Sequence, residues 1–320
     1  MEFGISLPSR GALAKPDLVL KIAEKAEALK YASVFVSDHV VLPSSSARSV
    51  YPYSPTKLFP GGAVQDYLEP LALLSYLAHA TRRIRLGTSV LVVPYRNPLV
   101  AGKTLATIDV LSGGRVILGA GVGWLREEFE ALATAPFEAR GEVTDEYLTL
   151  MRRTWTTDPV SFEGRYYTVR DVYALPKPVQ RGGIPIWIGG HTRGALRRAG
   201  ILGDAWHPIG LRPPAMLLPE EYAAMVKQIH AAAQSAGRDP RSIQLTFRAP
   251  MEVRSPRAKA PPGDRTIFQG SAAEVLADLR AYAAVGVSHV VFDATVQDLK
   301  PLLANLERFA EEVRPKLKSR

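Results

Sequence analysis

The amino-acid sequence predicts one α/β domain, residues 1–320, in which eight strands alternate with helices and close into a (β/α)8 barrel. The chain of 320 residues exceeds the ~250 residues of a typical barrel by roughly 70, which leaves room for insertions. Apolar runs of four to eight residues recur along the chain, and a helical pattern follows each of them. The chief alternative, a doubly wound open sheet, lacks a complete dinucleotide-binding fingerprint.

That fingerprint is incomplete in the glycine-rich segment 119–124. Gly119, Gly121 and Gly123 alternate with apolar residues, but Trp124 stands where the third spaced glycine is required. The sequence therefore favours the barrel over the open sheet.

The first half of the chain supplies four strand-and-helix units. Pro16 suits the first turn of the first helix, and Asn97 with Pro98 begins the third as a cap and a first-turn proline. The predicted strands are 3–7, 33–37, 84–93 and 116–121. The predicted helices are 16–30, 69–80, one beginning at 98, and 144–155, with a shorter helix at 124–132.

The second half supplies four more units. Ser271 and Glu274 form a capping box that begins the seventh helix, and Gly286 ends it. The predicted strands are 184–188, 205–207, 243–253 and 288–293, and the helices begin near 192, 219 and 271, with a final helix running to about 313.

Three insertions are expected, after strands two, four and seven. A loop as long as 39–68 is unusual unless it serves as a lid or a binding loop. The segment 157–183 contains an alternating stretch around Glu163-Gly164, which predicts a hairpin at 160–172. The segment 254–266 is rich in proline and basic residues, which predicts a polar loop.

The composition excludes several classes of protein. Hydrophobic residues make up 47% of the chain and charged residues 22%, so a disordered chain, a collagen and a coiled coil are excluded. Because there are no cysteines, disulfides, iron–sulfur clusters and thiolate zinc sites are excluded. No apolar run approaches the ~20 residues that span a bilayer, and the first residues lack a signal peptide. We expect a cytoplasmic enzyme with no membrane association.

The chain carries a net charge of +9. This balance indicates either an ordinary basic surface or attraction to an anionic cofactor or substrate. The lysines and arginines are spread along the chain without a nucleic-acid motif, so no nucleic-acid partner is expected.

Three of the six histidines follow predicted strands directly, namely His39, His191 and His207. The carboxyl ends of barrel strands carry the chemistry of these enzymes, so these histidines are candidates for function, although each could simply cap a strand. The remaining three lie away from the strand ends and are expected to be structural: His79, His230 and His289.

The turn 189–193 after strand five has the composition of a phosphate site. Gly189 and Gly190 allow close approach of a ligand to the backbone, and a helix begins directly afterwards. Thr192 adds a hydroxyl group and Arg193 a guanidinium. A plain glycine turn is the alternative.

These residues belong to a set of segments that together carry a resemblance to a known family. The chain resembles the luciferase-like flavin-dependent oxidoreductases, closest to the branch that uses the deazaflavin F420, over about residues 1–210. The matching segments are 37–39, 84–91, 95–98, 111–115, 118–124, 177–178, 185–190 and 204–208.

The resemblance implies a TIM barrel with a flavin-type ring at the strand ends, and a homodimer. It implies a cis peptide between Ser89 and Val90 that backs the ring, with Asp38 and His39 beside it as catalytic residues. The cofactor's side chain and phosphate would be bound by two segments: Gly121, Val122 and Gly123, and Gly189, Gly190, His191, Thr192 and Arg193. Trp124 and His207 would line the substrate pocket.

The chain departs from one branch of this family. Sugar-phosphate dehydrogenases carry a glutamate acid at the end of strand four, where this chain has Trp124. A sugar-phosphate substrate is therefore not expected. Glu127 and Glu128 follow and are expected at the start of a solvated helix.

The expected reaction is hydride transfer between F420 and a small enone, imine or alcohol. His39 would donate or accept the proton because the ordinary pKa of a histidine lies near working pH, and Asp38 would orient or polarise it. The first alternative is a monooxygenase that uses reduced FMN and oxygen. Minor alternatives are a non-catalytic flavin-binding barrel and a metal-dependent hydrolase using His191, His207 and Asp293, although strand one lacks the usual His-x-His pair.

Overall fold

The computed structural model describes residues 1–45, 48–255, 265–294 and 298–317. Eight strand positions form a closed parallel barrel, with strand three broken into two pieces. The barrel strands are β1 (Glu2–Ser6), β2 (Ser33–Val36), β3 (Arg85–Thr88) with β4 (Leu91–Val92), and β5 (Val116–Gly121). After the hairpin of β6 (Val160–Glu163) and β7 (Thr168–Val172), they continue as β8 (Ile186–Ile188), β9 (Ala205–Trp206), β10 (Gln244–Val253) and β12 (His289–Ala294). The short β11 (Gln269–Gly270) pairs with β10.

The barrel closes because β12 pairs with β1 on one side and β10 on the other, while β10 also pairs with β9. Every residue of β2 and of β5 is buried, as expected for a parallel sheet covered on both faces. Inside the barrel, Phe35 packs against Trp187, with ring centroids 5.4 Å apart. The predicted barrel is thus confirmed.

Helices cover the outside of the barrel. They are α1 (Pro16–Ala28), α2 (Pro70–Ala80), α3 (Pro98–Ser112), α4 (Arg126–Leu132), α5 (Arg140–Thr156), α6 (Arg193–Ile201), α7 (Pro219–Ser235), α8 (Ala272–Ala284), α9 (Leu299–Arg308) and α10 (Arg314–Leu317), with a π-helical stretch at Phe309–Val313. The Asn97 side chain caps α3, and Ser271 forms the predicted capping box with Glu274 at α8. In the described residues, no helix is long and apolar enough to cross a membrane.

The described residues of the insertion 39–68 are bonded to the barrel at two places. On one side, the Ser49 hydroxyl donates to Glu127 of α4 at 2.5 Å. On the other, the Arg10 guanidinium donates to Pro60 O at 2.5 Å. Its described residues form no helix or strand. The predicted hairpin of the second insertion is observed as β6 and β7, whereas the predicted loop 254–266 falls largely on 256–264, outside the described residues.

Candidate active site at the barrel mouth

Asp38 is buried just after β2 and is bound by two residues, Val92 at the end of β4 and Arg96 shortly after it. The Arg96 guanidinium donates to both carboxylate oxygens, at 2.7 and 2.9 Å, and the Val92 N–H donates at 2.8 Å. Burial raises the pKa of Asp38, and the Arg96 charge opposes that rise. These three bonds lock the end of β4 onto β2. The sequence-based expectation that Asp38 orients His39 is therefore corrected, because its acceptor oxygens bind Arg96 and Val92.

The partner of His39 is Glu128. His39 Nδ1 lies 2.6 Å from Glu128 Oε2, and both side chains are buried. The expectation of a solvated Glu128 is wrong: this glutamate is 0% exposed, whereas the adjacent Glu127 binds the exposed insertion through Ser49. A carboxylate on Nδ1 fixes the ring so that Nε2 is left for another group. In the described residues, Nε2 of His39 has no hydrogen-bond partner.

The Glu128 carboxylate accepts hydrogen bonds from three donors in addition to its contact with His39. Its Oε1 accepts the backbone N–H groups of Val40 and Val41, at 2.7 and 3.1 Å, and its Oε2 accepts the Tyr95 hydroxyl at 2.9 Å. The charge is thus stabilised by three donors besides His39, as a buried carboxylate requires. Helix α4 and the residues after β2 are thereby fixed to each other.

Aromatic rings surround the His39 imidazole. The ring centroids of Phe59, Tyr67 and Trp124 lie 4.9, 5.2 and 6.1 Å away. Tyr51 extends this group, with its ring 5.1 Å from Trp124. Trp124, predicted in the substrate pocket, therefore stands beside the candidate proton-transfer group. Phe59, Tyr67 and Tyr51 come from the insertion, so the insertion completes the site.

The break in strand three is formed by Ser89 and Val90, whose peptide bond is cis, as the resemblance implied. Val90 packs onto two of the glycines predicted to bind cofactor. A Cβ on Gly121 would lie 2.3 Å from Val90 Cγ2, and one on Gly189 would lie 2.8 Å from Val90 Cγ1. These glycines are required by the protein itself, because no side chain fits between the strands there.

Val122 and Gly123 continue from β5 toward Trp124. The Gly123 carbonyl accepts from Arg140 Nε at 3.2 Å. A Cβ on this glycine would come within 2.7 Å of the Phe129 ring. The glycine therefore lets α4 pack closely behind the strand end, in addition to any contact with a ligand.

His207 lies inside the barrel, 1% exposed, and not in an open pocket. The Thr246 hydroxyl donates to Trp206 O at 2.9 Å, so its oxygen accepts from His207 Nδ1 at 2.7 Å. Nε2 then accepts the Ser89 hydroxyl at 2.9 Å. This network needs a neutral imidazole. Burial, helped by the Arg248 charge, lowers the pKa of His207 to about 3. The prediction that His207 lines the substrate pocket is corrected.

This buried histidine predicts acid sensitivity. Between its ordinary pKa of 6.5 and its folded pKa of about 3, the unfolded chain binds a proton that the folded chain excludes. The contribution of His207 to the free energy of unfolding is therefore fully present above pH 6.5. Below that pH it falls by up to ~1.4 kcal/mol per pH unit.

Urea unfolding of wild type and His207→Asn at pH 7 and pH 5 measures this effect. The wild type should lose more free energy of unfolding than His207→Asn between pH 7 and pH 5. His79 is exposed, so His79→Gln serves as the control and should behave like the wild type. Burial also lowers the pKa values of His191 and His289. These two histidines therefore contribute to the loss of unfolding free energy that remains in His207→Asn. If the wild type and His207→Asn lost the same free energy of unfolding between pH 7 and pH 5, His207 would not be the buried neutral histidine described here.

Arg248 joins the strand-three break to the far side of the mouth. Its guanidinium donates to Ser89 O and, at 2.9 Å, to Ser89 Oγ and to Ser6 Oγ. Its Nε donates to Asp293 Oδ1 at 2.8 Å, and Arg212 donates to Asp293 Oδ2 at 2.8 Å. Although burial opposes ionisation, these two guanidinium groups hold the pKa of Asp293 well below its usual range.

The turn 189–193 leads from β8 into α6 as predicted. Thr192 caps the helix by accepting the Ala195 N–H at 3.3 Å. Gly190 has φ +99°, and its carbonyl accepts the Trp206 indole N–H at 3.0 Å. His191 Nε2 is buried and has no hydrogen-bond partner in the described part of the chain. A buried polar atom without a partner is unusual, which makes this turn a candidate ligand site.

The Thr192 and Arg193 side chains of this turn are exposed. The first N–H groups of a helix lack intrahelical partners, so α6 presents free donors beside His191. Tyr53 of the insertion lies against His191, with ring centroids 6.0 Å apart. Aromatic contacts through Tyr51 and Trp124 continue from there to His39. The turn 189–193 and His39 therefore lie at the same end of the barrel and are linked by these aromatic contacts.

Sequence reasoning missed four residues of this site: Glu128, Tyr95, Arg96 and Arg248. Arg248 carried a signal, because an arginine inside a buried strand requires a partner. The pairing of Glu128 with His39 carried none, since nothing in the spacing distinguishes Glu128 from Glu127. Among the described residues, no three His, Cys, Asp or Glu side chains are grouped to hold a metal ion.

Comparison with known proteins identifies the family to which this chain belongs. The family model described as luciferase-like monooxygenase matches residues 1–261. The phthiodiolone/phenolphthiodiolone dimycocerosates ketoreductase of Mycobacterium kansasii is 36% identical over 219 residues, which are 66% of this chain and 56% of that protein.

Among the similar solved structures, two that match over 99% of both chains represent two kinds of enzyme. One is an F420-dependent secondary alcohol dehydrogenase in complex with an F420–acetone adduct, with a TM-score of 0.78 and 18% identity. The other is the oxygenating constituent of 3,6-diketocamphane monooxygenase from Pseudomonas putida, a type II Baeyer–Villiger monooxygenase in complex with FMN, with a TM-score of 0.75 and 16% identity. At these identities the similarity shows a shared fold.

Proposed function

Because this chain belongs to the luciferase-like monooxygenase family, it is an oxidoreductase, and we propose that it uses F420 to transfer a hydride to or from a small enone, imine or alcohol. The observation that carries the proposal is the buried His39–Glu128 pair at the mouth of the barrel. When bound, a deazaflavin supplies or accepts the hydride. The protein must supply the proton, the orientation of the reactants and the exclusion of water.

His39 is the group proposed to move the proton. With Nδ1–H donated to Glu128, neutral His39 has a lone pair on Nε2 that can accept a proton from an alcohol. The protonated ring can donate the same proton to a carbonyl oxygen, and the buried carboxylate of Glu128 stabilises that charge. One residue thus serves both directions of the reaction.

The residues of the turn 189–193 fit an anionic phosphate. The unpartnered His191 Nε2, the N-terminal N–H groups of α6 and the exposed Arg193 are all donors. We assign these donors to the phosphate of the cofactor. The ring and side chain of the cofactor would lie along Ser89, Val90, Gly121, Val122 and Gly123. Asp38 acts at a distance, because its bonds to Arg96 and Val92 set the strand end that carries Val90.

The alternative is a monooxygenase that uses reduced FMN and oxygen. The specific observation in its favour is the match of residues 1–261 to the family model described as luciferase-like monooxygenase. His39 and Glu128 would then act on a different substrate at the same place. Cofactor preference therefore decides between the two proposals.

The deciding experiment is equilibrium titration of the purified protein with F420 and with FMN, followed by calorimetry or fluorescence. Tight binding of F420 with weak FMN binding, and oxidation of reduced F420 by a ketone, imine or enone, are the expected results. Preference for FMN with oxygen uptake in the presence of a flavin reductase would support the monooxygenase instead. Binding of neither cofactor would overturn both.

Replacing Trp206 with phenylalanine should weaken phosphate recognition selectively. The Trp206 ring is buried against Tyr222, with centroids 4.7 Å apart, and its N–H bonds the Gly190 carbonyl. Phenylalanine preserves the packing but removes the donor, so the turn loses one of its restraints.

We expect about a 5- to 10-fold higher Kd for F420, from loss of ~1 kcal/mol. The Kd of the deazaflavin chromophore that lacks the phosphate should stay unchanged. A matched control is Trp155→Phe, because the Trp155 indole N–H binds Gly102 O, away from the mouth. Equal weakening for both ligands would contradict a role at the phosphate.

We also propose a homodimer in the cytoplasm acting on a small-molecule substrate. Exposed apolar side chains on α2 and α3, namely Tyr76, Val100, Val110 and Leu111, are consistent with a subunit contact. Light scattering of the purified protein distinguishes a dimer from a monomer.

A further inference from the structure

An apolar cavity adjoins the candidate active site on the side of Trp124. Its volume is about 280 Å³, and it lies between the insertion 39–68 and the end of strand four. The residues that line it carry no charge, and the main contributors are Leu42, Leu58, Phe59, Ala63, Trp124 and Leu125. Nothing in the proposed transfer of hydride and proton uses this space.

The cavity shares two wall residues with the surroundings of His39. Phe59 and Trp124 form part of its wall, and the same two rings lie 4.9 and 6.1 Å from the His39 ring. A substrate with its oxygen at His39 Nε2 would therefore pass these rings to reach the cavity. The cavity is placed to receive the part of the substrate that does not react.

The charged groups near the cavity are engaged elsewhere. Arg10 covers the Phe59 ring, with its Cζ 4.9 Å from the centroid, and donates to Pro60 O and Gln65. Glu127 is bound to Ser49, and none of these groups lines the cavity. A substrate arm that carried a phosphate or a carboxylate would lose its water without gaining a partner. Leu58, in contrast, is 65% exposed and gains from being covered.

Resting on the proposed function, we infer that the substrate is an uncharged carbonyl compound or its alcohol that bears an apolar arm, and that the arm occupies this cavity. Trp124, which stands where sugar-phosphate enzymes carry an acid, serves here as the apolar wall that selects this class of substrate.

The test uses reduced F420 and a series of methyl ketones from acetone to undecan-2-one. The value of kcat/KM should rise by about fourfold for each methylene added, as expected for burial of a CH2 group, and should stop rising once the arm fills the cavity. An equal kcat/KM for acetone and nonan-2-one would overturn the inference.

Two variants test whether the dependence of kcat/KM on ketone length comes from this cavity. Ala63→Phe fills the cavity and should lower kcat/KM for nonan-2-one at least 10-fold, leaving acetone turnover and the Kd of F420 unchanged. Val64→Phe is the matched control, because the neighbouring Val64 is 100% exposed and does not line the cavity. The same loss in both variants would overturn the assignment of the arm to this cavity.

Direct binding separates this inference from the proposed function. Calorimetry with nonan-2-one should show weaker binding to Ala63→Phe than to wild type or Val64→Phe. Failure of the wild type to bind F420 would overturn the proposed function, while a persistent effect of Ala63→Phe on the binding of nonan-2-one would still support the cavity. Equal binding by all three proteins would overturn the cavity.

Discussion

Replacing His39 with glutamine is expected to lower kcat by about 10²- to 10⁴-fold, the usual contribution of a general acid or base. Glutamine keeps a polar side chain beside Glu128 but cannot move a proton. The Kd of F420 should change little, because the phosphate turn is built from other residues. Stopped-flow measurement of F420 absorbance with the best substrate provides kcat, and fluorescence titration provides Kd. Unchanged turnover would remove His39 from the mechanism.

Glu128→Gln tests whether the carboxylate acts through His39. The amide oxygen can still accept the backbone N–H groups of Val40 and Val41, and the amide NH2 can donate to the Tyr95 hydroxyl oxygen, but the neutral side chain no longer stabilises a charged imidazole. We expect kcat to fall about 10-fold or more, and its pH profile to shift toward lower pH because the protonated form of His39 is less favourable. A merely structural role would leave the pH profile in place.

Glu127→Gln is the matched control for that variant. Glu127 is adjacent in sequence and binds Ser49 and the Arg48 backbone, not His39. Its replacement should leave both kcat and the pH profile close to wild type. If Glu127→Gln reproduced the shift, the effect would come from the fold of the insertion and not from the His39–Glu128 pair.

Replacing Gly119 with alanine is expected to destabilise the protein by at least about 3 kcal/mol, beyond the usual range for overpacking. A Cβ at this position would lie 1.8 Å from the backbone oxygen of Thr88. Neither strand can yield easily, because the Thr88 hydroxyl donates to Gly119 O at 2.8 Å and both residues are buried in the barrel. Urea unfolding followed by circular dichroism measures the loss.

Gly141→Ala provides the control for a glycine-to-alanine change. Gly141 lies in α5, and the nearest atom to its added Cβ is Arg198 Nη2 at 3.6 Å, an ordinary contact. Stability should change by less than ~1 kcal/mol, with alanine favoured by its helix propensity. Similar losses at the two positions would show that the close approach of strands three and four is not the cause.

The local pattern of the sequence was sufficient for the architecture. The fourth strand of the barrel was predicted at 116–121 and is observed as β5 (Val116–Gly121), and the caps at Asn97 and Ser271 begin helices as expected. Hydrophobic periodicity and capping depend on residues within one or two turns of each other, so they can be deduced from neighbours in the chain. The cis peptide at Ser89–Val90 came from the resemblance and not from any such pattern.

The sequence by itself therefore determined the barrel, the order of its strands and the strand ends at which His39 and the turn 189–193 stand. Only the tertiary structure decided their partners. His39 meets Glu128, 89 residues away, and Arg248 meets Ser89, 159 residues away. Contacts of this kind depend on which strand ends converge and on how α4 and the insertion pack over them. No local pattern records that geometry, because it arises only when the sheet closes.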